Sequence, residues 1–348
     1  MNVTLNSPTV ANDVQRILTR LDLAENLAGK HLLITGSTGF FGKWLLAVLT
    51  ALNRDGAGIT VTALSRSPEN FLAQHPEYAG LVWLEWIKGD VKSVICLPPG
   101  RSIDLILHGA TDTLAGAHED PLAIFDTIVS GARNVLDLAL ATGARKILFT
   151  GSGAQYGGLK AGNPVQENSA YACDSALASS AYAEGKRAQE TLAALYSQRY
   201  GVEVLLARCF AFSGPGIALN AHFAIGNFVR DALWGDELII KSDGQSVRSY
   251  LHGADLAGWL LTLLSHGVAG EAYNIGSDEG ITISELAHKV VACIAPEKKV
   301  IVLGKPVPGG VRSYYVPDIQ KARALGLDVW TSLDQSIESM AHWAIGST

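Results

Sequence analysis

The chain has 348 residues, with 27 Lys plus Arg against 33 Asp plus Glu, for a formal net charge of −6. That acidic balance lacks the basic footprint of a nucleic-acid binder. Hydrophobic residues at 48% and charged residues at 17% supply a sizeable core and exclude a disordered chain. A mean hydropathy of +0.20 raises the question of a membrane. The most apolar runs, such as 32–35 and 259–264, fall well short of the roughly 18 residues a span requires.

Near the start, Val14, Ile17, Leu18 and Leu21 recur at helical spacing among Asp13, Arg16, Arg20 and Asp22. This pattern predicts an amphipathic surface helix, capped by Asn12 or Asp13, rather than a secretory signal. Short β-type runs follow at 31–35, 59–64, 82–87, 103–107, 146–150 and 202–207. Helix-compatible stretches lie between them at 43–52, 124–141 and 181–200. Mostly continuous apolar runs suit parallel strands covered on both faces. Their alternation with helices predicts an α/β fold with a doubly wound parallel sheet, whose ligand binds at the carboxyl ends of the strands.

After Arg208 the texture changes, with Gly214, Pro215 and Gly216 close together. A helix over about 224–234, a strand-like run at 238–241 and a turn at Asp243 and Gly244 come next. A helix over 285–294 and a loop-rich stretch over 296–310 follow. Cys96, Cys173, Cys209 and Cys293 show no CxxC pairing, so free thiols in a reducing cytoplasm are expected, and no metal site.

Directly after the first strand the chain reads Thr35-Gly36-Ser37-Thr38-Gly39-Phe40-Phe41-Gly42, and then a helix. In such a turn Gly36 permits the tight bend, Gly39 lets backbone approach a pyrophosphate, and Gly42 lets helix and strand pack. The helix N-terminus adds free N–H groups and a positive dipole end. A dinucleotide cradle of the Rossmann type is expected. The second strand ends Leu64-Ser65-Arg66-Ser67, without the carboxylate that would bond a ribose 2′-OH. Arg66 can pair with a 2′-phosphate instead, so the cofactor is NAD or NADP with the balance tipped toward NADP. Asp90 is placed either to meet the adenine edge or to close an ordinary turn.

Tyr182 and Lys186 stand four apart in Tyr182-Ala183-Glu184-Gly185-Lys186, hence on one helical face. A nearby ammonium and a positive nicotinamide ring favour phenolate and bring the Tyr toward working pH. Ser152, at the end of the 146–150 strand, can bond the reacting oxygen.

With these residues the sequence resembles the extended short-chain dehydrogenases/reductases, in their sugar-nucleotide epimerase/dehydratase branch, over about residues 29–330. The marks are TGSTGFFG at 35–42, GD at 89–90, HGAT at 108–111, GSGAQYG at 151–157 and YAEGK at 182–186. Others are RCFAFSGPG at 208–216, VRSYLHGAD at 247–255, YNIGS at 273–277 and VRSYYVPDIQKA at 311–322. The resemblance implies Ser152, Tyr182 and Lys186 as the catalytic set and a homodimer built on two helices per subunit. Cofactor contacts are expected at Gly36, Thr38, Gly39, Phe40, Phe41, Gly42, Ser65, Arg66, Asp90, Val91, Ala110, Thr111, Tyr182 and Lys186. A nucleotide-diphosphate sugar would meet Asp112, Asn220 and His222, with Arg248 and Arg312 on its diphosphate. Tyr156 and Gly157 are read as architecture beside the site. The implied division is a helical extension (1–28), a Rossmann domain (29–207, with a return at about 248–276) and a smaller substrate-binding lobe (208–247 and 277–348).

Departures from the family pattern bear on the reaction. Dehydratases and decarboxylases of this kind carry an acidic residue two places before the Tyr-Gly pair. Here Gly153 and Ala154 occupy that stretch, and neither can move a proton. Ala211 and Ile128 stand where the family usually has Asn. The expected activity is therefore an NAD(P)-dependent sugar-nucleotide epimerase, with an NADPH-dependent 4-keto-sugar reductase as the alternative. Dehydration or decarboxylation, and a non-catalytic dinucleotide sensor, rank below these.

Overall fold

The computed structural model describes residues 3–98, 100–111, 120–159, 162–221, 223–305 and 313–346. Helices α1 (Pro8–Leu18) and α2 (Leu23–Leu27) lead into β1 (His31–Thr35), α3 (Phe40–Arg54), β2 (Thr60–Ser65), α4 (Pro68–Gln74) and β3 (Leu84–Lys88). Then come β4 (Leu105–His108), α5 (Pro121–Thr142), β5 (Lys146–Ser152), α6 (Ala181–Tyr200) and β6 (Glu203–Cys209). The following part holds β7 (Phe212–Ser213), α7 (Ala224–Trp234), β8 (Leu238–Ile240), β9 (Val247–Arg248), β10 (Leu251–His252), α8 (Gly253–His266) and β11 (Ala272–Ile275). Last are β12 (Ile281–Thr282), α9 (Ile283–Ile294), β13 (Val300–Val302), β14 (Tyr314–Tyr315), α10 (Gln320–Arg323) and α11 (Leu333–Ile345).

Seven strands form one parallel sheet in the order β11-β6-β5-β4-β1-β2-β3. Both neighbours of β1 run parallel to it, with β2 on one side and β4 on the other. The chain therefore winds outward in two directions from β1, and the switch point opens between the carboxyl ends of β1 and β4. There Thr35 and His108 are register partners. The doubly wound α/β architecture expected from the alternation is the one observed.

Three local expectations are corrected. Helix α1 begins at Pro8 with Ser7 as its N-cap, so Asn12 and Asp13 lie inside it and cap nothing. Proline is preorganised for the first helical position, which sets the start earlier than the apolar spacing implied. The helix is amphipathic as expected, with Asn12 and Gln15 exposed on its polar side. Val10, Val14 and Ile17 are fully buried, and Ile17 sits over Gly258 of α8, where a Cβ would come within 2.6 Å of it. The 296–310 stretch contains β13, which pairs in parallel with β8; its flanking Pro, Lys and Gly residues mask the short apolar run. Strand β3 starts at Leu84, leaving Val82 exposed.

The apolar run at 259–264 belongs to α8, whose residues from Gly253 to Leu264 are all buried. Its hydrophobicity serves the core, and no described helix is long and apolar enough to cross a membrane.

A polar cluster ties α1 to this helix. Asp13 accepts from Ser339 (2.6 Å) and Arg16 (3.1 Å), and His252 Nε2 stands 3.4 Å away. Burial pushes the Asp13 carboxyl up, but His252, Ser339 and Arg16 together bring it below its ordinary 3.8. A carboxyl lowered in the fold contributes stability above its unfolded value and loses it as pH falls through the folded one. Asp13→Ala should cost about 2–4 kcal/mol at pH 7, since it leaves buried donors unpaired. In thermal melts of both proteins, the gap to wild type should narrow as pH falls below about 4.

Candidate active site

The loop from β1 to α3 carries the three glycines in distinct environments. Gly36 has φ +76°, and a Cβ there would come within 2.6 Å of the Gly109 carbonyl carbon. At Gly42 a Cβ would fall 2.3 Å from the backbone of Ser37, so only glycine lets α3 seat on the loop. Gly39 is the opposite case: it is exposed, and its Cβ would meet nothing nearer than Gly36 O at 3.5 Å. The space over Gly39 is thus left to a ligand. Gly39 is also the N-cap of α3 and offers no side-chain cap, so the N–H groups of the first turn around Phe40, Phe41 and Gly42 lack one. This open cradle at the switch point fits a dinucleotide pyrophosphate. Thr38 is half-buried in the loop, and Phe41 packs edge-on against Phe212 at 4.9 Å.

Other expected cofactor contacts line the same end of the sheet. Ser65 closes β2 and accepts from Ser67 N–H (3.2 Å), with Arg66 exposed beside it. The Asp90 carboxylate accepts from Lys92 N–H (2.9 Å), an Asx turn that fixes its orientation. Val91 is buried, and its carbonyl accepts from Asn134 Nδ2 (2.8 Å). Ala110 N–H donates to Thr35 Oγ1 (3.2 Å).

Lys186 is nearly completely buried. Its Nζ donates to Thr111 Oγ1 (2.8 Å) and to the Thr150 carbonyl (2.7 Å), which joins α6 to β5 and to the end of β4. Burial brings it down to about 8. Ser152 accepts from Ala154 N–H (3.1 Å), while its own N–H donates to Gln155 Oε1 (2.8 Å), so the serine is held by the turn it caps. The Tyr182 phenol faces Ser152, which favours its charged form. Burial nevertheless pushes Tyr182 upward, with Ser152 the group that opposes it. The sequence pointed to Lys186 as that group. In the fold the ammonium is engaged by Thr111 and Thr150.

Sequence reasoning missed several groups here. Tyr315, at the end of β14, lies against Gly153, where a Cβ would come within 2.7 Å of its hydroxyl, and near Tyr182. Its signal was the 311–322 stretch, which pointed to Arg312 instead. His108 Nδ1 lies 2.8 Å from Thr35 Oγ1, while burial and the Lys186 charge hold the ring down to about 3. It therefore stays neutral beneath the cradle.

The remaining expected residues are placed as follows. Arg248 donates to the Val247 carbonyl (2.8 Å) and Ser313 Oγ (3.1 Å), and its guanidinium carbon lies 5.6 Å from the centre of the Tyr315 ring. Among the described residues it makes no ion pair, which keeps its charge available to an anion. Asn220 is exposed in the turn ahead of α7. Asp112, His222 and Arg312 lie outside the described residues. Tyr156 donates to Asn274 (2.8 Å) and accepts from Arg208 (2.9 Å), which in turn pairs with both oxygens of Glu190. That network is a wall of the site. Ile128 is buried against Gly185, so an apolar contact occupies the position of the usual Asn. No cluster of described residues is placed to hold a metal ion.

A family model described as the NAD dependent epimerase/dehydratase family matches residues 32–276. The chain belongs to that family. Its members' shared fold also appears among solved structures. UDP-N-acetylglucosamine 4-epimerase from Methanobrevibacter ruminantium aligns with a TM-score of 0.78 at 18% identity, over 92% of this chain and 100% of that one. UDP-glucose 4-epimerase from Thermotoga maritima gives 0.74 at 20% identity, over 91% and 99%. Among curated proteins, UDP-glucuronic acid decarboxylase 6 of Arabidopsis thaliana is 28% identical over 312 residues, 89% of this chain and 87% of its own. UDP-glucuronic acid decarboxylase 1 of Xenopus tropicalis is 27% identical over 321 residues, 90% of this chain and 72% of its own. A nicotinamide dinucleotide is the cofactor of this epimerase/dehydratase family, and the open cradle matches it.

The glycine geometry separates binding from folding. Gly39→Val should leave the thermal midpoint within a few degrees of wild type, because its Cβ meets open space, yet dinucleotide affinity should collapse. Gly42→Val should destabilise the fold itself. Calorimetric titration with NAD and NADP, alongside melts of both variants, checks the contrast.

Proposed function

We propose that this family member is a nucleotide-diphosphate-sugar epimerase working through a transient keto sugar. The observation that carries the reading is the Ser152–Tyr182–Lys186 constellation beside a dinucleotide cradle, with no proton-moving side chain at Gly153 or Ala154. When bound, a nicotinamide dinucleotide supplies the hydride acceptor and donor. Tyr182 takes the proton from the sugar hydroxyl, and Ser152 bonds the same oxygen as it becomes a carbonyl. Lys186, charged near neutral pH, holds positive potential under that oxygen and reaches Thr111 at the rim. Arg248, in no ion pair among the described residues, is suited to a diphosphate. Return of the hydride to the other face of the keto sugar inverts the carbon.

A second reading is favoured by the curated relatives, which are named as UDP-glucuronic acid decarboxylases. Oxidation next to a carboxylate-bearing carbon makes a β-keto acid, which loses carbon dioxide into an enolate that Ser152 and Tyr182 are placed to stabilise. The carbon left behind must then be protonated, and Gly153 and Ala154 offer nothing for that step. A third reading, net reduction of a keto sugar with NADPH, draws on Arg66.

Thermal-shift screening of UDP-, GDP-, CDP- and dTDP-sugars identifies the ligand, since native-state binding raises stability. Product analysis then separates the readings. An isomer of unchanged mass supports epimerisation, loss of carbon dioxide supports decarboxylation, and net consumption of NADPH supports reduction.

Tyr182→Phe keeps the ring but deletes the proton acceptor, so turnover should fall by about 10² to 10⁴ with cofactor affinity nearly unchanged. Steady-state kinetics and dinucleotide titration check both halves. Arg66→Ala should weaken NADP more than NAD, because only NADP loses a charge-assisted contact to a 2′-phosphate. Equal losses for both dinucleotides would remove the preference for NADP.

A further inference from the structure

Residues 1–31 lie outside the family match, yet the chain near its start reaches the cofactor cradle. After β6 the stretch 212–216 lies along the first turns of α3. Phe212 meets Phe41 edge-on at 4.9 Å, and the Pro215 carbonyl accepts from Trp44 Nε1 (3.0 Å). Gly216, at φ +92°, completes the contact. A Cβ there would lie 3.6 Å from Phe40 Cδ2 and 2.4 Å from Val3 Cγ2. Val3 is fully buried and fills the room that Gly216 leaves beside Phe40.

The segment that delivers Val3 is fastened on both sides. The Val3 carbonyl accepts from the Tyr78 hydroxyl (3.1 Å). The Thr4 carbonyl then accepts from Ser7 N–H (3.0 Å), which turns the chain into α1, and Asp13 anchors α1 to Ser339 (2.6 Å). Between these points residues 4–6 border a cavity of about 370 Å³, whose other walls include Arg54, Tyr78 and Trp83. The segment is thus a strap, and Val3 is the end of it that meets the cradle.

We propose that Val3 is a positioning residue for the cofactor: the strap wedges it against Gly216 and Phe40, fixing the first turn of α3 in the form that binds a dinucleotide pyrophosphate. The N–H groups around Phe40, Phe41 and Gly42 have no side-chain cap, so their direction depends on how that turn is packed. Phe41 and Trp44 are pinned by Phe212 and Pro215, and Val3 closes the remaining gap at Phe40. Without the wedge the turn samples other positions, and only the competent fraction binds tightly. Val3 carries no polar side chain, so its effect passes through the packing of α3. It acts on the phosphate end that NAD and NADP share. That role requires the dinucleotide cradle and holds for any of the three reactions.

The test is calorimetric titration of the full chain with NAD and with NADP, at a temperature where every variant titrated is folded. Val3→Ala should weaken both dinucleotides by about tenfold and by the same factor, an ordinary size for coupling between separate sites. Val290→Ala makes the same change at a fully buried position of α9, which packs against α7 and α11. It should lower the thermal midpoint as a core truncation does and leave both affinities within about twofold of wild type. Tyr78→Phe keeps the ring and removes the donor to the Val3 carbonyl. It should weaken both dinucleotides by about threefold, the worth of one net hydrogen bond, and it decides the matter if Val3→Ala does not fold. Unchanged affinity in Val3→Ala, or in Tyr78→Phe where that variant stands in for it, overturns the proposal. So does an equal loss in Val290→Ala, which would make the effect one of stability alone. A wild type that binds neither dinucleotide overturns the cradle and the strap's role together. Because the titration needs no turnover, the expected losses in a protein inactive on every nucleotide sugar would count against the epimerase reading alone.

Discussion

The site depends on the burial of one ammonium. Lys186 has almost no solvent exposure and two neutral oxygens for company, the Thr150 carbonyl and the Thr111 hydroxyl. A buried cation with no carboxylate beside it among the described residues is expensive, and burial accordingly lowers its proton affinity. What the arrangement secures is geometry. One oxygen belongs to β5 and the other to the segment after β4, so the ammonium sets α6 against the carboxyl end of the sheet. With α6 so placed, Tyr182 one turn earlier meets Ser152 at the end of β5. The same charge helps to keep His108 neutral below the cradle.

Much of this was legible in the sequence because local and global signals agreed. Helices α6 and α7 have the bounds that periodicity gave them; α6 stops at Gly201, whose φ of +73° only glycine adopts freely. The glycine loop declared both its turn and its ligand. What could not be read was set by contacts distant in sequence. Asp13 looks like a helix cap in isolation, but Ser339 and His252 turn it into a buried anchor. Tyr315 lies in the 311–322 motif, but that motif pointed to Arg312. It becomes part of the site only because β14 pairs with β9 and Gly153 leaves room. Burial also reversed the expected shift of Tyr182, since desolvation is a property of the packed fold and does not show in a spacing of four residues.

The reaction turns on what stands between Ser152 and Tyr156. Gly153 and Ala154 have no side chain that could carry a proton to a neighbouring carbon, whereas the Ser152, Tyr182 and Lys186 that the proposed epimerisation uses are all present. Chemistry confined to one carbon and its hydroxyl is what such a site supports best.

The most direct measurement of that claim uses a converted nucleotide sugar carrying deuterium on every ring carbon, mixed with unlabelled substrate in ordinary water. Removal and return of a hydride within one active site predicts an inverted product that keeps all of its deuterium, with no exchange between labelled and unlabelled molecules. Loss of deuterium to solvent, or its transfer to the unlabelled population, would contradict the account.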